Sequence, residues 1–170
     1  EIYIWDLGAD TCIKSSFDHL TGVRTRPVFF QEYEKENFKS ESELPKKLVF
    51  HDHGFNDSGT RHLLEVKSYD NKDRWIICYD VAAKTWLELD HQHDEAWIGG
   101  PGISGWKLEP GNVGWIDENA VYYQSETSGY SHLYRCDLSE NKDGKNTTTQ
   151  LTHGNYEIHE AYLSKDKTHF

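Results

Sequence analysis

The chain has 170 residues and a formal net charge of −11 at neutral pH. That balance argues against a general nucleic-acid binder, which needs a basic stripe to displace counterions from phosphates, and against electrostatic docking on an anionic membrane. No apolar run nears the ~20 residues of a helical membrane span, and the length suits one domain or part of a larger one. Hydrophobic residues make up 36% and aromatics 14%, with 13 glycines and no methionine. A sequence that is aromatic-rich, Leu-poor and punctuated by Gly leans towards strands. It opens on Glu1 inside a strand-like run and ends on Phe170 inside another, which predicts an excerpt of a longer polypeptide.

In chain order, Ile2-Tyr3-Ile4-Trp5 and Thr11-Cys12-Ile13-Lys14 flank a polar turn and predict a hairpin. Residues 21–47 carry Pro27, Pro45 and a dense, mainly acidic charge cluster from Glu32 to Glu43, which predicts a solvated insertion or short helix, anchored at one end by Pro27-Val28-Phe29-Phe30. Strands are then predicted at residues 47–50, 61–69 and 74–79. The last is a near-continuous apolar run, as a strand buried on both faces requires. Another follows at 85–89, and Gly99-Gly100-Pro101-Gly102 opens a punctuated loop reaching Gly105. Residues 113–116, 120–125, 132–136 and 147–151 are four more strands, and 157–163 begins a further one. No segment carries a long helical period.

An internal repeat accounts for this rhythm. Ile4-Trp5-Asp6-Leu7, Cys78-Tyr79-Asp80-Val81 and Arg135-Cys136-Asp137-Leu138 share one grammar: an aromatic or Cys strand ends on Asp, a small turn follows and a strand returns. Trp115-Ile116-Asp117 and Leu163-Ser164-Lys165-Asp166 each lead into a second Asp-centred turn. The spacing is that of propeller repeats of about 40–50 residues, one of them enlarged by the charged insertion. The expected fold is all-β, a partial β-propeller of about three four-stranded antiparallel blades. Residues 1–170 then form a segment of one propeller domain.

Four stretches carry a family resemblance. They are Asp70-Asn71-Lys72-Asp73-Arg74-Trp75; His91-Gln92-His93-Asp94-Glu95-Ala96-Trp97-Ile98-Gly99-Gly100-Pro101-Gly102; Tyr123-Gln124-Ser125-Glu126 through Gly129-Tyr130-Ser131-His132-Leu133-Tyr134; and Gln150-Leu151-Thr152. Together they resemble the N-terminal propeller of bacterial prolyl oligopeptidase-family serine peptidases, the dipeptidyl peptidase IV-like branch above all. The resemblance covers about the last hundred residues. It implies a parent exopeptidase, periplasmic or secreted, in which the propeller restricts access and helps bind the peptide N-terminus while a separate α/β-hydrolase domain cleaves. That domain is absent from this sequence. The family nucleophile sits in Gly-x-Ser-x-Gly. The nearest run, Gly129-Tyr130-Ser131-His132-Leu133, lacks the last Gly and reads as a strand, where Ser131 and His132 would point to opposite faces. No catalytic residue is therefore expected here, and the family's paired glutamates for the substrate amine are not recognisable.

Other constellations have plainer readings. His51-Asp52-His53 and His91-Gln92-His93 place two imidazoles on one face of a strand, as a metal requires. Their order matches no familiar metal pattern, so polar loop-end roles are expected and neither metal nor cofactor is assigned. Asp94 and Glu95 are the candidates for lining a substrate chamber. Cys12, Cys78 and Cys136 are an odd number without Cys-x-x-Cys in apolar surroundings, which predicts buried reduced thiols; one disulfide with a free thiol is the alternative. Asn56-Asp57-Ser58 and Asn146-Thr147-Thr148 are formal glycosylation acceptors. The six tryptophans are expected in the core, and Arg74 and Arg135 in local ion pairs. The expected partners are peptide substrate through the parent, the parent's hydrolase domain, and a second copy through open blade edges. The alternatives are a stand-alone propeller binding or scaffold module, or a His-rich metal-binding β protein.

Overall fold

The computed structural model describes residues 1–103, 109–138 and 146–170. They fall into two compact units, Glu1–Lys46 and Lys47–Phe170. In the first unit, β1 (Tyr3–Asp6) pairs antiparallel with β2 (Thr11–Lys14). Phe17, Leu20 and Val23 are buried. The charged stretch holds one short helix, α1 (Phe30–Glu34), running into a 3-10 turn at Lys35–Asn37. Arg26 organises it. Its guanidinium lies 4.7 Å from the Phe30 ring centroid and 5.5 Å from that of Phe38, and pairs with Glu34 at 2.5 Å. A cation over aromatic faces and a forked ion pair are contacts that arginine makes better than lysine.

The second unit contains two successive four-stranded antiparallel sheets. The first runs β3 (Leu48–Phe55), β4 (Arg61–Ser68), β5 (Asp73–Asp80), β6 (Thr85–His93). The second runs β7 (Val113–Asp117), β8 (Ala120–Ser125), β9 (His132–Asp137), β10 (Thr147–Gln150). Each strand pairs with the next in sequence, the meander of a propeller blade. The fold is thus all-β, a partial propeller. Among the described residues the three sheets comprise two full blades and one two-stranded hairpin, beside the expectation of about three four-stranded blades.

One face of the first blade packs on the second. At one end of this contact Leu63, Ile76, Cys78 and Leu89 meet Val113, Val121, Tyr123, Tyr134 and Cys136 in a continuous apolar core. Alternation along β4 and β5 puts Glu65, Lys67 and Arg74 on the same face, towards its other end. All three are buried. Arg74 Nε donates to Glu65 Oε1 at 2.5 Å, and Arg74 Nη1 donates across the interface to the Gln124 carbonyl at 2.6 Å. The Gly111 N–H donates to Glu65 Oε2 at 2.7 Å, and Lys67 Nζ donates to the carbonyls of Ile103 and Glu109 at 2.9 and 2.6 Å. Arg74 is therefore no exposed local ion pair but the node that joins two blades to the loop between them. Gly111 permits the approach: a Cβ there would lie 2.4 Å from Arg74 Nη2.

Four expectations are corrected. β3 continues to Phe55 through His51 and His53, because Phe50, His51 and Asp52 pair in register with Val66, Glu65 and Leu64. Residues 157–163 form no strand: Ile158 N donates to the Ser131 carbonyl, and side chains of Gln124 and Asn112 take the carbonyls of Ile158 and Ala161. Cys78 and Cys136 are buried, but Cys12 is exposed because the face of the hairpin it shares with Trp5 is uncovered; all three thiols are free. Trp75 and Trp86 are core residues, whereas Trp5 and Trp97 are 63% and 59% exposed. Trp106, Ser104 and Gly105 lie outside the described residues. The Asn56 acceptor is also closed to glycosylation. Its side chain is buried, donates to Thr60 Oγ1 and the Glu118 carbonyl, and accepts from the N–H groups of Thr60 and Arg61.

Burial lifts the Cys78 thiol to about 12 and Cys136 to about 11. A thiol reagent at neutral pH will therefore modify Cys12 alone in the folded chain, and all three cysteines in denaturant; mass spectrometry of the labelled protein counts them. Arg74→Met leaves the buried Glu65 without its guanidinium and will destabilise the second unit by roughly 3–5 kcal/mol, read from urea unfolding.

Candidate functional site

The loop ends of the two blades enclose a cavity of about 410 Å³ lined by His91, Gln92, His93, Asp94, Ile98, Ile103, Ser125, Glu126 and Thr127. The last turn of β6 delivers the histidines. Asp73, at the start of β5, pairs with His93, and Trp75 with His91. Asp73 is buried, and its Oδ1 lies 2.9 Å from His91 Nε2 and 2.7 Å from His93 Nδ1. An ionised carboxylate only accepts, so each of those nitrogens carries a proton. The remaining nitrogen of His93, Nε2, faces a second carboxylate, that of Glu95. His91 is further held by stacking on Trp75, with centroids 5.3 Å apart and planes 9° from parallel.

His91 and His93 are thus on one face as expected, but they converge on a carboxylate. Among the described residues no group of three or more His, Cys, Asp or Glu side chains could hold a metal ion. At the other His pair, His53 Nε2 lies 3.7 Å from Glu65 Oε2, and the intervening Asp52 pairs with His62 at 2.9 Å.

Asp94 and Glu95 sit just past β6. Asp94 lines the cavity. Its Oδ1 also accepts from the N–H groups of Trp97 and Ala96 at 2.8 and 2.6 Å, which hold its carboxyl below the ordinary aspartate range. Glu95 lies 3.4 Å from His93 Nε2, and its carbonyl receives the Lys72 ammonium. Ser125, Glu126 and Thr127, at the turn leaving β8, face the same cavity and were not singled out from sequence. Their only signal was membership of the Gln-Ser-Glu run that carries the family resemblance. Burial, followed by the neighbouring Glu157 and Asp94 carboxylates, raises the Glu126 carboxyl above its usual range. The cavity is therefore rich in acceptors and negative charge, a surface suited to a cationic donor such as an ammonium group.

The Gly129-Tyr130-Ser131-His132 run lies at the start of β9. Ser131 and His132 are both buried. Ser131 Oγ donates to the Pro101 carbonyl at 2.7 Å, while the His132 nitrogens engage Thr152 Oγ1 and the Gly154 carbonyl at 2.9 and 3.0 Å. Neither side chain is available to the other.

The network beneath the cavity responds to pH. Burial opposes ionisation of Glu65, but Arg74, His53, Lys67 and the Gly111 N–H together outweigh it and hold the carboxyl well below its ordinary 4.5. Burial, with Arg74 nearby, pulls the Lys67 ammonium down to about 8 in spite of Glu65.

Comparison with known proteins places these features. A profile of the family described as the dipeptidyl peptidase IV N-terminal region matches residues 36–169. No curated protein matches the chain. Among solved structures, a crystal structure of a candidate dipeptidyl aminopeptidase IV from Bacteroides ovatus matches at 17% identity and a TM-score of 0.46, covering 65% of this chain and 17% of that one. The present chain spans under a fifth of that protein's length.

Two outcomes follow for the chain itself. A fluorophosphonate probe will not label Ser131, since its hydroxyl is buried and no imidazole accepts its proton; a labelled Ser131 peptide after digestion would reverse that assignment. In urea titrations, stability will fall as pH drops below about 4.5, where an unfolded Glu65 takes up a proton that the folded one refuses. From about pH 8 to 10.5 the contribution of Lys67 will rise with pH, because the folded state releases its proton first. Lys67→Met will remove that rise and, by taking away one of the cations that hold Glu65 down, will also make the acid limb shallower.

Proposed function

Because the chain belongs to the dipeptidyl peptidase IV N-terminal region family, we propose that it is the non-catalytic propeller segment of a serine exopeptidase. The parent removes short N-terminal fragments from peptides with an α/β-hydrolase domain lying outside residues 1–170. This segment limits access to that domain and helps seat the peptide. The observation that carries the reading is the cavity of about 410 Å³ at the loop ends of two blades. Its carboxylates, Asp94 and Glu126, suit the protonated amine of a peptide. Glu95 acts one step back, beside His93.

The same reading places the parent in the periplasm or outside the cell, where peptides reach it. No helix among the described residues is long and apolar enough to cross a membrane. On its own, the 170-residue chain leaves blade edges unpaired, and such edges recruit a second copy. Sedimentation of the isolated chain is expected to show a mass that grows with concentration.

The deciding experiment uses the full-length parent with dipeptide anilide substrates. Asp94→Asn and Glu126→Gln will each raise KM by about 3–10-fold with kcat little changed, the pattern of lost substrate binding. The double variant will also narrow the preference for free over N-acylated substrates. Unchanged KM in both single variants would remove the cavity from the substrate path.

A further inference from the structure

Three carboxylates bear on the cavity at the blade ends, and they are held differently. Asp94 Oδ1 accepts from the N–H groups of Ala96 and Trp97, and Glu157 Oε2 accepts from the Ser131 N–H. The carboxylate of Glu126, which like Asp94 lines the cavity, accepts no hydrogen bond from the described residues. On its own turn Ser125 and Thr127 bond each other, with 2.6 Å between their hydroxyl oxygens. The facing loop, residues 99–103, reads Gly-Gly-Pro-Gly-Ile and brings no charge. It brings a wall: at Gly100, where φ is 107°, a Cβ would lie 2.9 Å from Glu126 Cδ.

The other charged groups beside the cavity are occupied elsewhere. His91 and His93 donate to Asp73, and His93 also faces Glu95. Lys72 turns its ammonium onto the Glu95 and Ala96 carbonyls. Neither lysine nor arginine is among the lining residues. Glu126 therefore has two like charges near it and no counter-charge. Burial first, and then Glu157 and Asp94, raise its carboxyl above the usual 4.5, whereas the two N–H donors hold that of Asp94 down.

We infer that Glu126 makes cation binding at this cavity pH-dependent: an incoming ammonium group displaces the Glu126 proton to solvent and takes its place beside the carboxylate. This rests on the reading that the cavity receives a peptide amine, and adds how that step is regulated. The balance is one proton released for each cation bound wherever Glu126 is protonated in the free protein, and the ligand's ammonium keeps its own three. A cation beside the carboxylate favours its charged form, so affinity rises with pH through the range in which Glu126 ionises and levels off above it. That range lies above an ordinary glutamate's, so the coupling acts in mild acid. Asp94, held ionised there, adds an attraction that does not vary.

Steady-state kinetics of the full-length parent on a dipeptide anilide, between about pH 5 and pH 7, test it, because the substrate amine stays protonated over that range. The readout is the ratio of a variant's KM to that of the unmodified enzyme, in which groups common to both cancel, those of the hydrolase domain included. For Glu126→Gln this ratio will be about 3–10 at pH 7 and will fall by about half or more at pH 5, where the unmodified enzyme's own Glu126 is largely protonated. Glu157→Gln keeps an oxygen for the Ser131 N–H but removes a like charge, so its rise of KM in acid will begin at lower pH than in the unmodified enzyme. A Glu126→Gln ratio of about 3 or more that is the same at both pH values overturns the coupling and leaves the binding reading standing. An acid rise that Glu157→Gln does not move also overturns it. A ratio of about 1 at every pH for both Glu126→Gln and Asp94→Asn removes the cavity from the substrate path, and the coupling with it.

Discussion

The buried Arg74–Glu65 pair is the constraint on which the second unit depends. Moving two charges out of water costs several kcal/mol each, and an ion pair recovers this only when its remaining hydrogen-bonding capacity is filled. Here the Glu65 carboxylate takes the guanidinium on one oxygen and the Gly111 N–H on the other, and Arg74 Nη1 reaches the Gln124 carbonyl of the next blade, so that of the guanidinium nitrogens Nη2 alone is left without a hydrogen-bond partner. Lys67 collects carbonyls from both sides of the same loop. An apolar contact between blades is non-directional; this one specifies their register and the course of the chain between them. That is a reason for charge at a place where leucine would pack as well.

The cavity inherits its shape from that network. Its walls are the end of β6 and the turn after β8, and the elements carrying them are joined by Arg74. Gln92 belongs to both, accepting from Arg74 Nη1 at 3.2 Å while lining the cavity. On the opposite face of β5, Asp73 accepts from His91 Nε2 and His93 Nδ1 and so fixes the orientation of both rings at the cavity wall. The family profile of the dipeptidyl peptidase IV N-terminal region spans both blades and hence the whole cavity lining.

The hairpin and the charged insertion follow a different logic. In the hairpin, the face that carries Tyr3, Trp5 and Cys12 is uncovered, so all three are exposed. The insertion is held by one arginine between two phenylalanines, so its order is local and needs no large core.

What sequence alone determined was periodic. The alternation of β4, the unbroken apolar run of β5, the Asp-ended strands and the Gly-marked turns are local consequences of a two-residue strand repeat and of turn chemistry. They were enough for the all-β class, the blade rhythm and the family. Pairings between distant residues were not legible. Glu65 reads as one more polar position on an alternating strand, and only the neighbouring blade reveals it as the partner of Arg74 and Gly111. His91 and His93 are visibly on one face, but Asp73, some twenty residues earlier, decides whether they meet a metal or a carboxylate. Glu126 reaches the same cavity as Asp94 because two blades lie side by side. Residues 157–163 have strand-like composition, yet side chains of Gln124 and Asn112 take the carbonyls that a strand would need. Local pattern determines which segments extend; their partners are a property of the packed chain, because a hydrogen bond or ion pair between segments exists only once both have been placed.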